Sequence, residues 1–122
     1  MAAEAHFFDH EKLDVYQVAI RFVAWTGDLL AGVEGRKISA MDQLDRASTS
    51  IPLNIAEGNG KRSRRDRCRF LDISRASALE AASSLDVMLA RRACLPDHVA
   101  TGKELLVRIV EMLTKLIERL AE

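Results

Sequence analysis

Arginine and lysine side chains are concentrated in one short part of this chain, and their chemistry is the binding of phosphate groups. Residues 61–75, which we call the basic segment, hold seven Lys or Arg residues against two Asp or Glu residues, a net charge of +5. Guanidinium groups present planar pairs of N–H donors that fit phosphate oxygens. We predict that the segment contacts a nucleic-acid backbone through Lys61, Arg62, Arg64, Arg65, Arg67, Arg69 and Arg75.

The remainder of the chain does not share this charge. Residues 1–60 hold five basic and nine acidic side chains, residues 76–122 hold six and seven, and the formal net charge of all 122 residues is zero. Two alternatives to phosphate binding stay open: the arginines pair with the acidic first half, within or between subunits, or they form a solvated helix face. Phe70 is the only aromatic residue of the segment, and we predict it in the core. The sequence therefore indicates backbone contact without base recognition.

No other group of side chains predicts catalysis, a metal site or a cofactor. The chain has no Gly-rich phosphate loop, Ser-His-Asp order or zinc-binding His-Glu motif. Cys68 and Cys94 are isolated, and the three histidines lack partners at metal-ligand spacing. We interpret Glu57 and Glu80 as structural carboxylates. We predict a non-enzymatic protein, and we expect it to be cytoplasmic because no apolar run could cross a membrane and no signal-peptide pattern is present.

Four amphipathic segments must position the basic segment, and all four show the three-and-four spacing of helices. They span about residues 12–31, 38–57, 64–91 and 97–120. Ala, Leu, Arg and Glu are abundant, and no alternating strand pattern competes. We predict an all-α, antiparallel up-down four-helix bundle that forms one domain over residues 1–122. Residues 1–10 are expected to be a loosely ordered lead, with Phe7 and Phe8 packing back onto the bundle.

Local signals set the helix ends and one bend. We predict Ser63 as the N-cap of the third helix, with Asp66 as its reciprocal partner, and Asp97 as the N-cap of the fourth. Pro52 lacks an N–H group and crowds the preceding turn, so we predict a kink in the second helix. Asn54 should then lie near the apolar face, with partners in the kinked turn. The basic segment falls at the N-terminus of the third helix, where positive charge opposes the helix dipole.

The first helix has more apolar surface than one buried face needs. One stripe consists of Tyr16, Ile20, Val23 and Leu30, and the second consists of Val15, Val18, Phe22, Trp25 and Leu29. Together they cover an arc of roughly 220°, whereas a helix with one buried face needs about 100°. We predict that the second stripe forms the interface of a homo-oligomer. The alternative is that Phe22 and Trp25 cover the N-terminal segment of the same chain.

Four motifs resemble those of a known family. They are Leu13-Asp-Val-Tyr-Gln17, Gln43-Leu-Asp-Arg-Ala47, Ser50-Ile-Pro-Leu-Asn-Ile-Ala-Glu-Gly58, and Phe70-Leu71 leading to Ser77, Leu79 and Glu80. Over about residues 7–120 the chain resembles the small bacterial four-helix-bundle proteins encoded within intervening sequences of large-subunit ribosomal RNA genes. It is also similar to the accessory protein of diversity-generating retroelements. The third motif is the most specific of the four.

The resemblance implies an up-down bundle that assembles into a pentameric ring. From the retroelement relatives it also implies binding to RNA or DNA and to a reverse transcriptase. The chain departs from the family at Asp45-Arg46, where two adjacent basic residues are frequent, so the second helix loses a positive charge. The sequence thus predicts a pentameric, nucleic-acid-binding adaptor that uses the N-terminus of the third helix. The alternative is a protein-interaction scaffold whose arginines form salt bridges between subunits.

Overall fold

The computed structural model describes residues 5–35 and 37–121, and in these residues it contains four α-helices and no strand. The helices are α1 (Asp14–Ala31), α2 (Ser39–Asn59), α3 (Arg64–Ala90) and α4 (Pro96–Ala121). A short 3-10 turn, Asp9–Lys12, precedes α1. The prediction of an all-α four-helix bundle is confirmed, with helix ends close to the predicted ones. Residues 1–4 of the predicted lead lie outside the described residues.

The helices pack as a closed square, in which α1 and α3 each contact both α2 and α4. Contacts between α2 and α3 run in opposite sequence directions, since Ser50 bonds to Ser77 while Gly58 lies against Phe70. The contacts from α3 to α4 reverse in the same way, with Arg75 bonded to Thr114 and Asp86 to Lys103. These helices are therefore antiparallel, and the N-terminus of α3 lies at the same end as the C-termini of α2 and α4.

The most specific sequence motif joins α2 to α3. The Ser50 and Ser77 hydroxyls are 2.8 Å apart, and Asn54 Nδ2 donates to Ser50 O at 2.8 Å and to Ser50 Oγ at 2.9 Å. Ser74 Oγ donates across the same interface to Ile51 O at 2.9 Å. The predicted placement of Asn54 beside the turn that holds Pro52 is confirmed. This network satisfies polar groups that packing would otherwise leave unpaired.

Gly58 lets the start of α3 approach α2 closely. A β-carbon at this position would lie 3.1 Å from Phe70 Cβ and 3.2 Å from Arg67 O. The glycine therefore fixes how near the basic segment comes to the end of α2. Pro52 is buried within the continuous helix α2, and the kink there stays a prediction.

The interface predicted on α1 is wrong for most of its residues, because they belong to the chain's own core. Val15, Val18 and Leu29 are buried, and Phe22 is 0% exposed. Trp25 is half-buried and stacks on Phe22 with a ring-centroid distance of 5.7 Å. The four buried side chains are not available to a second subunit in this fold.

Trp25 lies against α4, at Gly102. A β-carbon on Gly102 would be 2.7 Å from Trp25 Cη2 and 2.7 Å from Leu85 Cδ1, so the indole occupies the space that a side chain would fill. The alternative predicted that Phe22 and Trp25 cover the N-terminal segment of the same chain, whereas Trp25 packs against Gly102 of α4 and Phe22 is fully buried in the core. The other stripe of α1 is the more exposed one, and Ile20 has 43% of its surface exposed.

The ends of α3 and α4 agree with the predicted signals in part. Ser63 is the N-cap of α3, and its Oγ accepts from the Asp66 N–H at 3.1 Å, as predicted. Asp97 does not cap α4, because the helix already begins at Pro96, which places Asp97 in its first turn. Proline suits that first position since its missing N–H would have no helical partner there.

Candidate nucleic-acid interface

The basic segment begins in the connection between α2 and α3 and continues along the first turns of α3. Gly60 ends α2 by donating its N–H to the carbonyls of Ala56 and Glu57, and Ser63 then starts α3. The connection is held to the helix by Arg67, whose Nε donates to Lys61 O at 2.7 Å. The cations of the segment are thus presented on an ordered backbone.

Two of these cations contact the ring of Phe70. The Lys61 ammonium lies 5.0 Å from the centroid of the Phe70 ring, and the Arg69 guanidinium carbon lies 4.9 Å from it. Each contact has cation–π geometry, which is worth about 0.5–1 kcal/mol at an exposed site. Phe70 is half-buried rather than a core residue, and its ring holds both charges at the surface.

Three arginines extend into solvent. Arg62, Arg65 and Arg69 are exposed, and none of them forms an ion pair or a hydrogen bond with any residue that the structure describes. Arg65 and Arg69 are four residues apart in α3 and so share one face. The alternative in which these arginines pair with acidic groups of the same chain is not what the structure contains.

Arg75 is separated from the other six basic residues. It is half-buried, and its Nε donates to Thr114 Oγ1 on α4 at 3.0 Å. It also lies six residues beyond Arg69, about 9 Å further along the helix axis. We therefore define the basic cluster without it, as Lys61, Arg62, Arg64, Arg65, Arg67 and Arg69.

Sequence reasoning missed the exposure of two aromatic residues in the segment that is bound to the end of α2. Asn59 Nδ2, at the end of α2, donates to Asp9 Oδ2 at 3.1 Å, which joins the N-terminal segment to the helix that leads into the cluster. Phe8 precedes Asp9, and the prediction that Phe7 and Phe8 pack back onto the bundle is wrong. Phe7 is 82% exposed and Phe8 is 67% exposed.

The backbone of these two phenylalanines is fixed by Glu11. The Glu11 carboxylate accepts the N–H of Phe7 at 2.7 Å and also accepts the N–H of Phe8. The bond from Phe8, together with the bond from Phe7 and the nearby histidines, lowers the pKa of the Glu11 carboxyl below its ordinary value. Glu11 three residues after Phe8 is the sequence signal for this turn, because it is the capping-box spacing.

The residues that were considered for catalytic or metal chemistry lie outside the basic cluster. Within residues 5–35 and 37–121, no three His, Cys, Asp or Glu side chains are grouped so that they could hold a metal ion. Glu57 and Glu80 are both exposed. Burial raises the pKa of the Cys94 thiol. No helix in the described part of the chain is long and apolar enough to span a membrane.

The fold and the cluster together define a class of protein. It is an all-α four-helix bundle with an ordered, cationic surface at the end where α2 meets α3. Such a surface attracts polyanions by its local field even when the net charge of the chain is zero.

The 23S rRNA-intervening sequence protein family model matches residues 11–115, and the chain therefore belongs to that family. This confirms the resemblance to proteins of ribosomal RNA intervening sequences, whereas the similarity to the retroelement accessory protein stays a prediction. The fold is similar to the crystal structure of a protein of unknown function from the S23 ribosomal protein family of Bacteroides thetaiotaomicron, with a TM-score of 0.80 and 22% identity. That match covers 84% of this chain and 97% of the other. A search of curated proteins found no match.

Proposed function

We propose that this protein is a non-enzymatic adaptor that binds RNA through phosphate contacts of the basic cluster. The observation that carries the proposal is the exposure of Arg62, Arg65 and Arg69 without an acidic partner among the described residues. The description of the family refers to an intervening sequence of 23S rRNA, which favours RNA as the ligand. DNA and a protein partner such as a reverse transcriptase are the other ligands that the sequence analysis left open.

The physical mechanism is the neutralisation of phosphates by guanidinium groups. Each phosphate contact releases condensed counterions, so the logarithm of the affinity falls with the logarithm of the salt concentration by about 0.7 per contact on a single strand. Three arginines therefore account for a slope of about 2. The N–H groups at the start of α3 add a favourable partial charge for a phosphate near Ser63. None of these contacts requires a particular base.

We further propose that the protein acts as a homo-oligomer, a pentameric ring, in which each subunit adds its own cluster to a shared field. Since Phe22 and its neighbours are in the core, we move the proposed interface to the other stripe of α1. Ile20 is 43% exposed there, and Tyr16, Val23 and Leu30 are half-buried. Light scattering on the purified protein tests this proposal, because a mass equal to one chain of 13.6 kDa at micromolar concentration would refute it.

The binding proposal is tested by replacing the three exposed arginines. The triple variant Arg62→Ala, Arg65→Ala, Arg69→Ala is expected to bind a labelled RNA at least tenfold more weakly at low salt, and its salt slope should fall by about 2 to 3. The matched control is Arg91→Ala with Arg108→Ala, which removes exposed arginines outside the cluster. It should change the affinity by less than about twofold.

Arg75→Ala is a second control, within the same helix. It should lower thermal stability slightly, because the hydrogen bond from Arg75 Nε to Thr114 Oγ1 is lost, and leave RNA affinity within about twofold. Absence of RNA binding by the unmodified protein at low salt would refute the proposed function. Equal losses in the triple variant and the Arg91 and Arg108 control would also refute it.

A further inference from the structure

Two large aromatic side chains are held in solvent by an ordered backbone. Phe7 and Phe8 are 82% and 67% exposed, although phenylalanine is among the residues most often buried. Their N–H groups are both bound by the Glu11 carboxylate, and the imidazole of His10 lies parallel to the Phe8 ring at a centroid distance of 6.0 Å. Tyr16 contacts the other side of this arrangement, edge-on to His10 at 4.7 Å.

The aromatic pair is connected to the end of α2 that leads into the basic cluster. Asp9 follows Phe8 directly, and it is hydrogen-bonded to Asn59 at 3.1 Å. Lys61 is two residues beyond Asn59. Consecutive Cα atoms are about 3.8 Å apart. Since Phe8 is one residue from Asp9 and Lys61 is two residues from Asn59, both residues lie within a few Cα–Cα steps of this hydrogen bond. A polymer that touches the cluster with its backbone can therefore reach the two rings with its next units.

We propose that Phe7 and Phe8 form a stacking site for unpaired bases of a single-stranded nucleic acid whose phosphates contact the basic cluster. This inference rests on the proposed function and names its ligand class. Single-strand binding surfaces combine a positively charged track with aromatic rings on which bases stack, and the stacking tolerates any base because every base has a π-face. A duplex keeps its bases stacked on each other and offers no such face to a side chain.

The experiment compares strands that have the same phosphates but differ in their bases. Fluorescence anisotropy measures binding of a labelled oligouridine of about 12 nucleotides and of an abasic oligomer of the same length. The unmodified protein should bind oligouridine at least about fivefold more tightly than the abasic oligomer, the ratio that one stacked base supplies. An oligodeoxythymidine arm shows whether RNA or DNA is the source of the strand.

The double variant Phe7→Ala, Phe8→Ala should lose this preference and bind both oligomers alike, with the salt slope unchanged because the phosphate contacts remain. Phe7→Tyr with Phe8→Tyr keeps two π-faces and should keep the preference. Leu95→Ala is the matched control for removing exposed apolar surface, since Leu95 is 63% exposed and lies beyond the far end of α3. It should leave both affinities unchanged.

The possible failures are distinct. If the unmodified protein binds oligouridine and the abasic oligomer equally, or if the double alanine variant keeps the preference, the stacking site is refuted while the phosphate contacts stand. If the double alanine variant keeps its affinities but forms a smaller assembly, the phenylalanines contact a second copy of the chain and the inference is overturned. If no oligomer binds the unmodified protein, the proposed function and the stacking site both fail.

Discussion

Substituting alanine at two glycines should give variants of different stability, and this tests whether Trp25 belongs to the chain's own core. At Gly27 in α1, an added β-carbon has no atom within 4 Å. Alanine is favoured over glycine by about 0.8–1 kcal/mol in a helix interior, so Gly27→Ala should stabilise the protein by up to that amount. At Gly102 in α4, the same carbon would lie 2.7 Å from Trp25 and from Leu85.

The magnitude at Gly102 follows from two competing effects. The helix preference again favours alanine by about 0.8–1 kcal/mol, but overpacking a core costs typically about 1–3 kcal/mol. Leu85 is 0% exposed and the indole of Trp25 is rigid, so the neighbours have little room to move. The helix preference cancels between the two variants, so Gly102→Ala should be less stable than Gly27→Ala by about 1–3 kcal/mol.

Urea unfolding followed by circular dichroism measures both free energies, and both variants are compared at one protein concentration because the stability of an assembling protein depends on it. Trp25 is the only tryptophan, so the wavelength of its fluorescence reports the local displacement at Gly102. Equal stability of the two variants, with unchanged tryptophan emission, would refute the packing of Trp25 against α4. A change in the mass in solution without a change in the free energy of unfolding would instead indicate that Trp25 lies at a subunit interface.

Two further predictions concern the α2–α3 network and the N-terminal turn. Asn54→Ala removes both hydrogen bonds to Ser50 and should lower the free energy of unfolding by about 1–2 kcal/mol. Asn54→Asp should lower it further, because a carboxylate cannot donate a hydrogen bond to the Ser50 carbonyl. Thermal melts measure both effects. Because the folded pKa of Glu11 is lowered, its support of the turn is present above the ordinary pKa of 4.5 and lost as pH falls through the lower folded pKa. The protection factors for amide hydrogen exchange at Phe7 and Phe8, taken relative to the pH-dependent rates of an unstructured chain, should fall over that window. Glu11→Gln should lower them at neutral pH, and unchanged protection in that variant would contradict the assignment.

The fold could be predicted from the sequence because each helix carries its own periodic pattern and end signal. The buried residues of α3, from Leu71 to Met88, follow the three-and-four spacing of an amphipathic helix closely. Ser63 caps α3 because its hydroxyl accepts a bond within the same turn. Such signals involve residues that are near each other in sequence, so they do not depend on how the helices are arranged.

The side of α1 that faces the core could not be predicted in the same way. Both of its stripes have helical spacing, and together they exceed one buried face, so periodicity alone leaves the choice open. The choice depends on α4, where Gly102 leaves the space that Trp25 fills. That space depends on Gly102, which is 77 positions away from Trp25 in the sequence. The spacing of apolar residues within α1 does not indicate that these two residues will contact each other.

The candidate site could likewise be predicted from the sequence only in part. The density of arginines after Gly60 was evident from the sequence, but their separation into an exposed group and the α4-bonded Arg75 required the packed helices. The exposed phenylalanines were misassigned because apolar side chains are expected inside, whereas here a carboxylate at Glu11 binds their backbone and leaves the rings outside. Polar bonds to the main chain thus decided a position that side-chain hydrophobicity predicted wrongly.

The family motif and the proposed binding surface have different physical tasks. Ser50 bonds α2 to α3, Asn54 bonds to Ser50 within α2, and Gly58 sets the close approach of the two helices, so the motif determines where α3 begins relative to α2. The exposed arginines lie just beyond it and are not buried between the helices, although Arg69 also contacts the Phe70 ring. The motif therefore determines the packing of the helices and the position of the surface. The fold does not require a particular charge on that surface, so its charge can suit the ligand. Replacing the arginines should consequently alter binding with little change in the bundle, and RNA binding and thermal melts of the triple variant measure these two effects separately.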